Sequence, residues 1–169
     1  SIDISREGAE EVLVCTRFGY INRYDASEIP VMAPPAFGVK ALEMKSRTND
    51  EVTGAHYFTE KDLLVLLTQK GNLRRMRPGE ILKGRRVNVG KQYVPMTKNR
   101  SNEIISSLVI HHKNANLDLD AYVYGSDGHQ PLDYSQLRNA TVPSGRKILK
   151  KNIGNPEKLV ITLNNDDFS

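Results

Sequence analysis

Apolar residues along this chain come in short bursts that end at polar, glycine-bearing turns. Leu63-Leu64-Val65-Leu66-Leu67 is a continuous apolar run, the pattern of a strand covered on both faces. It stops at Gln69-Lys70-Gly71-Asn72, where glycine can take the positive φ of a tight hairpin, and Leu73-Arg74-Arg75-Met76 returns. Arg17-Phe18-Gly19-Tyr20 and Ser126-Asp127-Gly128-His129 occupy the corresponding places, so Gly19, Gly71 and Gly128 are the predicted turn glycines. Ala41-Leu42-Glu43-Met44-Lys45 alternates apolar and polar, which predicts a half-buried strand. Val52, Ile104-Ile105 and Leu108-Val109-Ile110 predict further strands. Pro30, Pro34, Pro35, Pro78, Pro131 and Pro143 fall between these pieces, where a missing backbone donor does no harm. No stretch keeps a helical period over a dozen residues.

The pattern repeats. A gapless shift of 52 residues superposes Thr16 on Thr68, Gly19 on Gly71, Arg23 on Arg75, Glu28 on Glu80, Ile29 on Ile81, Gly38 on Gly90, Met44 on Met96 and Glu51 on Glu103. A third, worn copy follows with a falling offset: Gly128 answers Gly71, Leu137 answers Ile81, Gly145 answers Gly90 and Glu157 answers Glu103. The expected units are 11–60, 61–116 and 117–169, with 1–10 as a remnant of a preceding unit. Four short strands in about 52 residues is the size of a propeller-type blade, and rings of this kind usually close with about four to eight. The expectation is therefore an all-β fold of about three four-stranded blades, part of a larger ring with further blades upstream.

Charge separates the units. The chain of 169 residues carries 24 Lys+Arg against 20 Asp+Glu, a net +4. Residues 61–116 hold twelve basic and three acidic residues, or +9, while 1–10, 11–60 and 117–169 carry −2, −2 and −1. Gly79, Gly84 and Gly90 interleave with the middle unit's cations, letting backbone approach an anion closely. Arginine dominates between 74 and 86, and its planar fork suits phosphate oxygens. The predicted polyanion-binding residues are Arg75, Arg77, Lys83, Arg85, Arg86, Lys91, Lys98 and Arg100. Arg74 and Arg75, as strand neighbours, cannot both face outward. The partner such a surface calls for is duplex DNA backbone.

Other chemistry is thin. His111-His112 lack a spaced third ligand and read as a solvated turn rather than a metal site. Asp118, Asp120 and Asp127 lack the glycine and terminal glutamate of a calcium loop. Asp166-Asp167 reads as a frayed acidic end. The single Cys15 excludes an intrachain disulfide, fits a reducing cytoplasm, and sits in an apolar strand as a small core residue rather than a nucleophile. Seven tyrosines are scattered over all units, which favours packing over a stacking platform for single strands. No nucleophile–base set or P-loop is present, no apolar run approaches the length of a membrane helix, and the first residues lack the pattern of a signal peptide.

The recurrent segments Thr16-Arg17-Phe18-Gly19-Tyr20-Ile21-Asn22-Arg23 and Thr68-Gln69-Lys70-Gly71-Asn72-Leu73-Arg74-Arg75, with Glu28-Ile29-Pro30 and Gly38-Val39-Lys40, resemble the blade signature of type II topoisomerase A-subunit tails. The likeness covers nearly all of the chain, is strongest over 11–110, and is closer to topoisomerase IV than to gyrase. The basic glycine-rich box of gyrase has no counterpart at Val31-Met32-Ala33-Pro34-Pro35-Ala36-Phe37-Gly38, and Gly84-Arg85-Arg86-Val87-Asn88-Val89-Gly90-Lys91 is only a faint echo of it. The resemblance implies a β-pinwheel that binds and bends duplex DNA without reading sequence. It implies no catalytic residue, metal or cofactor in this piece. The parent would be a bacterial, cytoplasmic, nucleoid-associated enzyme using ATP and Mg2+, and partnered by its catalytic core and B subunit. The competing expectation is a propeller-like scaffold for protein interactions.

Overall fold

A computed structural model describes residues 11–30, 40–44, 48–100, 102–114, 119–134, 137, 146–147, 149–150 and 152–163. The predicted remnant 1–10, the Val31–Gly38 stretch, Asp118 and the acidic pair Asp166-Asp167 lie outside these residues. The strands are β1 (Glu11–Thr16), β2 (Tyr20–Asp25), β3 (Val52–Phe58), β4 (Leu63–Thr68), β5 (Asn72–Met76), β6 (Lys91–Gln92), β7 (Ile104–Ile110), β8 (Leu119–Gly125), β9 (Gly128–Leu132), β10 (Arg146–Lys147) and β11 (Pro156–Leu163). They form three antiparallel sheets in the orders β3-β1-β2-β6, β10-β5-β4-β7 and β11-β8-β9. The all-β expectation holds.

The repeated Thr-x-x-Gly signature has a local cause. Gly19 and Gly71 sit at φ +80 and +77, a region where an L side chain meets the backbone. Each N–H bonds the carbonyl of the threonine three residues back, at 3.0 and 2.9 Å. The Thr16 and Thr68 hydroxyls accept from the N–H of Tyr20 and Asn72 at 3.2 and 3.1 Å, closing each hairpin. Gly128 departs from this prediction. The third copy has no threonine at the matching place, the turn shortens to Ser126-Asp127, and Gly128 opens β9 opposite Gly125 without a positive φ.

Alternate faces of β4 feed two cores. Leu64 and Leu66 pack with Leu13, Cys15, Ile21 and Phe58 of the first sheet, while Val65 and Leu67 pack with Ala121, Val123, Leu132 and Leu159 of the third. Each fully buried leucine contributes about 2 kcal/mol, so the uninterrupted apolar run reflects a strand with core on both sides. Burial pushes the Cys15 thiol up to about 12, as expected for a core residue.

Ala41-Leu42-Glu43-Met44 corrects the strand prediction: these four residues are not in a strand. The β2 edge is taken by β6, through Tyr20↔Gln92 and Ile21↔Lys91. Leu42 instead drops into a small core with Val12, Val14 and Tyr24, and Glu43 N–H reaches the Asn88 carbonyl at 3.2 Å. Pairing also crosses the predicted boundaries, because β6 lies in 61–116 and β10 in 117–169. Each short strand closes the sheet before it.

His112 is exposed and opens a short 3-10 turn, as expected, but both His111 and His112 are tied to one buried carboxylate. Their Nδ1 atoms lie 3.0 and 2.9 Å from the two carboxylate oxygens of Asp62, which is 1% exposed and also accepts the N–H of Thr59 and His112. No group of three metal-ligating side chains occurs among the described residues.

At the meeting of β3 and β7, His56 Nε2 lies 2.8 Å from Ser107 Oγ, and burial pushes its pKa down to about 4 from 6.5. The folded imidazole stays neutral where an unfolded one takes up a proton. Its contribution is therefore complete above about pH 6.5 and is lost as pH falls toward 4. Unfolding free energy is expected to drop by about 2 kcal/mol across that window, allowing for partial exposure. His56→Gln flattens the profile there; an unaltered profile in denaturant titrations would refute the assignment.

Candidate nucleic-acid interface

The basic excursion between β5 and β7 leaves the second sheet and lies along the first. Gly84 N–H donates to the Arg23 carbonyl at 2.7 Å, and Asn22 Nδ2 donates to the carbonyls of Arg85 and Arg86 at 3.0 and 3.2 Å. Glu28 accepts the Arg86 N–H at 2.8 Å, and Asn88 N–H bonds back to the Arg85 carbonyl at 3.0 Å, closing a turn. The segment then pairs as β6 and returns past Gly19, whose carbonyl accepts the Tyr93 N–H at 2.9 Å. Consecutive sequence thus becomes a cationic edge shared by two sheets.

The predicted cations fall into groups. Arg77, Arg85 and Lys98 are exposed and make no ion pair among the described residues. Lys91 stands 5.7 Å over the Tyr93 ring and Arg100 stands 5.2 Å over Phe18, both exposed, beside the β1–β2 turn. Arg86 is half-buried and its guanidinium donates to the Lys40 carbonyl. Arg75 lies opposite Val65, on the face that it shares with the buried Leu73, and is itself half-buried. Arg74 takes the other face and donates to the Tyr93 carbonyl, and its burial lowers its pKa.

Lys83 is engaged elsewhere. Its Nζ lies 2.6 Å from Asp25 Oδ1 and 2.9 Å from Glu11 Oε1, and these two hydrogen bonds raise its pKa to about 12. Glu11 also holds Arg23, whose Nε and Nη2 reach Oε2 at 2.9 and 2.8 Å. The remaining Nη1 of Arg23 donates to the carbonyls of Pro78 and Ile81 at 2.6 and 3.1 Å. This network is a clamp between the first sheet and the start of the basic segment. A second tie is Arg17, bonded to Glu103 at 2.7 Å and Glu51 at 3.2 Å, two glutamates that the 52-residue shift superposes.

Sequence reasoning did not reach Asn22, Glu28 and Glu11, which hold the basic segment from the neighbouring sheet. The repeat gives no hint of Asn22, because its counterpart is Arg74.

Antiparallel sheets built from repeats, the first two each closed by an edge strand from the next unit, with cations along the shared edge, define a propeller-type repeat domain. The chain belongs to the family described as "DNA gyrase C-terminal domain, beta-propeller", which matches residues 10–57 and 62–111. The worn third unit lies outside the matched segments. Among sequence relatives, the A subunit of DNA topoisomerase 4 from Streptococcus pneumoniae serotype 4 is 32% identical over 95 residues, covering 56% of this chain and 11% of the relative. Its counterpart from Bacillus subtilis is 26% identical over 99 residues, covering 59% and 12%. The matched stretch of this chain therefore spans about a tenth of the length of these curated relatives. In structure it is similar to the C-terminal domain of DNA topoisomerase IV, with a TM-score of 0.77 at 19% identity over 96% of this chain and 52% of that one. The DNA gyrase A C-terminal domain gives 0.66 at 16%, over 91% and 50%. Among the described residues no helix is long and apolar enough to cross a membrane.

Proposed function

We propose that this chain binds duplex DNA without reading its sequence and holds it bent, as the tail of a type II topoisomerase A subunit. The observation that carries the reading is the pinned basic edge. Arg77, Arg85, Lys91, Lys98 and Arg100 are exposed on or beside a segment whose backbone is already fixed, and none pairs with a described carboxylate. Phosphates that replace solvent around these cations release counterions, and a preordered edge loses little entropy on binding. In the parent, the bent duplex would be presented to the catalytic core and B subunit for decatenation and supercoil relaxation. ATP and Mg2+ would act there rather than on this edge.

Five exposed cations, with Arg86 beside them and Lys83 withheld by its carboxylates, set the expected size of the electrostatic effect. Affinity for random duplex should fall with a log–log salt slope of about −4 to −6, measured by anisotropy titrations at several salt concentrations. A slope near zero would remove the DNA reading and leave the protein-scaffold alternative.

A further inference from the structure

Charge does not account for everything on this edge. Leu82 is 68% exposed and Val87 is 45% exposed, and both lie in the segment that carries Lys83, Arg85 and Arg86. A single exposed apolar side chain needs no explanation. Two within six residues, interleaved with three cations on a fixed backbone, do. Leu82 N–H donates to the Tyr93 hydroxyl at 2.7 Å. Asn22, 2% exposed, holds the carbonyls of Arg85 and Arg86, and the turn closed by Asn88 sets Val87 at its corner. The nearby acids Glu11 and Asp25 are bound by Arg23 and Lys83, Glu28 by the Arg86 amide and Glu43 by Lys40, leaving the exposed Glu80 as the one acid within 77–92 itself. The fixed backbone thus presents apolar side chains to water, among positive charges.

Resting on the DNA-binding reading above, we propose that Leu82, with Val87, is a wedge that enters the minor groove and partly unstacks a base step. An apolar side chain between base steps and cations on the flanking phosphates are the two complementary halves of a kinked duplex. Prior ordering of the loop matters, because unstacking a step costs a few kcal/mol and a mobile wedge would add its own entropy loss. The kink should settle preferentially at pyrimidine–purine steps, where the duplex deforms most easily, so duplexes that contain such steps should bind alike.

The test uses this chain with a duplex of about 30 base pairs, end-labelled for energy transfer and carrying 2-aminopurine at a central TA step. The unaltered protein should raise both transfer and 2-aminopurine fluorescence. Leu82→Ala/Val87→Ala should keep the salt slope but lose the 2-aminopurine rise and most of the transfer change. Both positions are exposed, so melting should stay within a degree or two of the parent. Unchanged transfer and fluorescence in this variant would overturn the wedge while leaving DNA binding intact. Failure of the unaltered protein to bind, or binding without salt dependence, would overturn the DNA reading and the wedge with it.

Discussion

A chain in which Arg85 and Arg86 are both replaced by Glu binds random duplex about 100-fold more weakly at roughly 0.1 M salt, with a salt slope flatter by about two. Each reversal removes a cation from the edge and places a repulsive charge in its stead, a combined effect of about 2.7 kcal/mol. The fold should survive, because, apart from the Arg86 guanidinium on the Lys40 carbonyl, the loop is held through backbone atoms of these residues. Asn22 bonds their carbonyls and Glu28 bonds the Arg86 N–H, and both contacts persist after substitution. The loss should be equal for all duplex sequences, since phosphates carry no base identity. Anisotropy against several unrelated duplexes checks this, and selective loss for one sequence would argue for base reading instead.

Glu11→Ala should lower the unfolding free energy by about 3 kcal/mol. Glu11 and Arg23 are almost fully enclosed, with side chains 9% and 10% exposed. Removing the carboxylate leaves a guanidinium held by the carbonyls of Pro78 and Ile81 and the Phe58 ring, with no described carboxylate against it. An unpaired charge in such a place costs more than the pair itself contributes. Glu11→Ala/Arg23→Leu should recover part of the loss, because the stranded charge is gone. Urea unfolding of the two variants measures this; a loss below about 1 kcal/mol for Glu11→Ala, or a double variant weaker than the single, would contradict the clamp. The same substitution frees Lys83 from one of its two carboxylates.

The strand-rich repeat was legible because its signals are local. Thr16 with Gly19, and Thr68 with Gly71, encode hairpins through bonds spanning three or four residues. The apolar run 63–67 showed that β4 has core on both faces, since no polar position is left for solvent. The concentration of charge in 61–116 marked the edge that carries the candidate interface. Period two at 41–45 misled, because alternation records one buried side and says nothing about whether a neighbouring strand is free to pair. The anchoring of His111 and His112 was hidden for a related reason. Their partner Asp62 stands 49 and 50 residues away along the chain, and neither side of that contact has a motif.

The amino-acid order is sufficient to specify hairpins, blades, their repetition and the sign of the edge, all properties of residues close along the chain. Which cations remain available to a ligand is a property of folded proximity. Lys83 meets Glu11 and Asp25, and Arg74 turns inward to Tyr93, only because the segment after β5 crosses to the preceding sheet. Coulomb attraction falls off with distance in space, not along the chain. The exchange of edge strands therefore sets which charges meet a carboxylate and which face solvent.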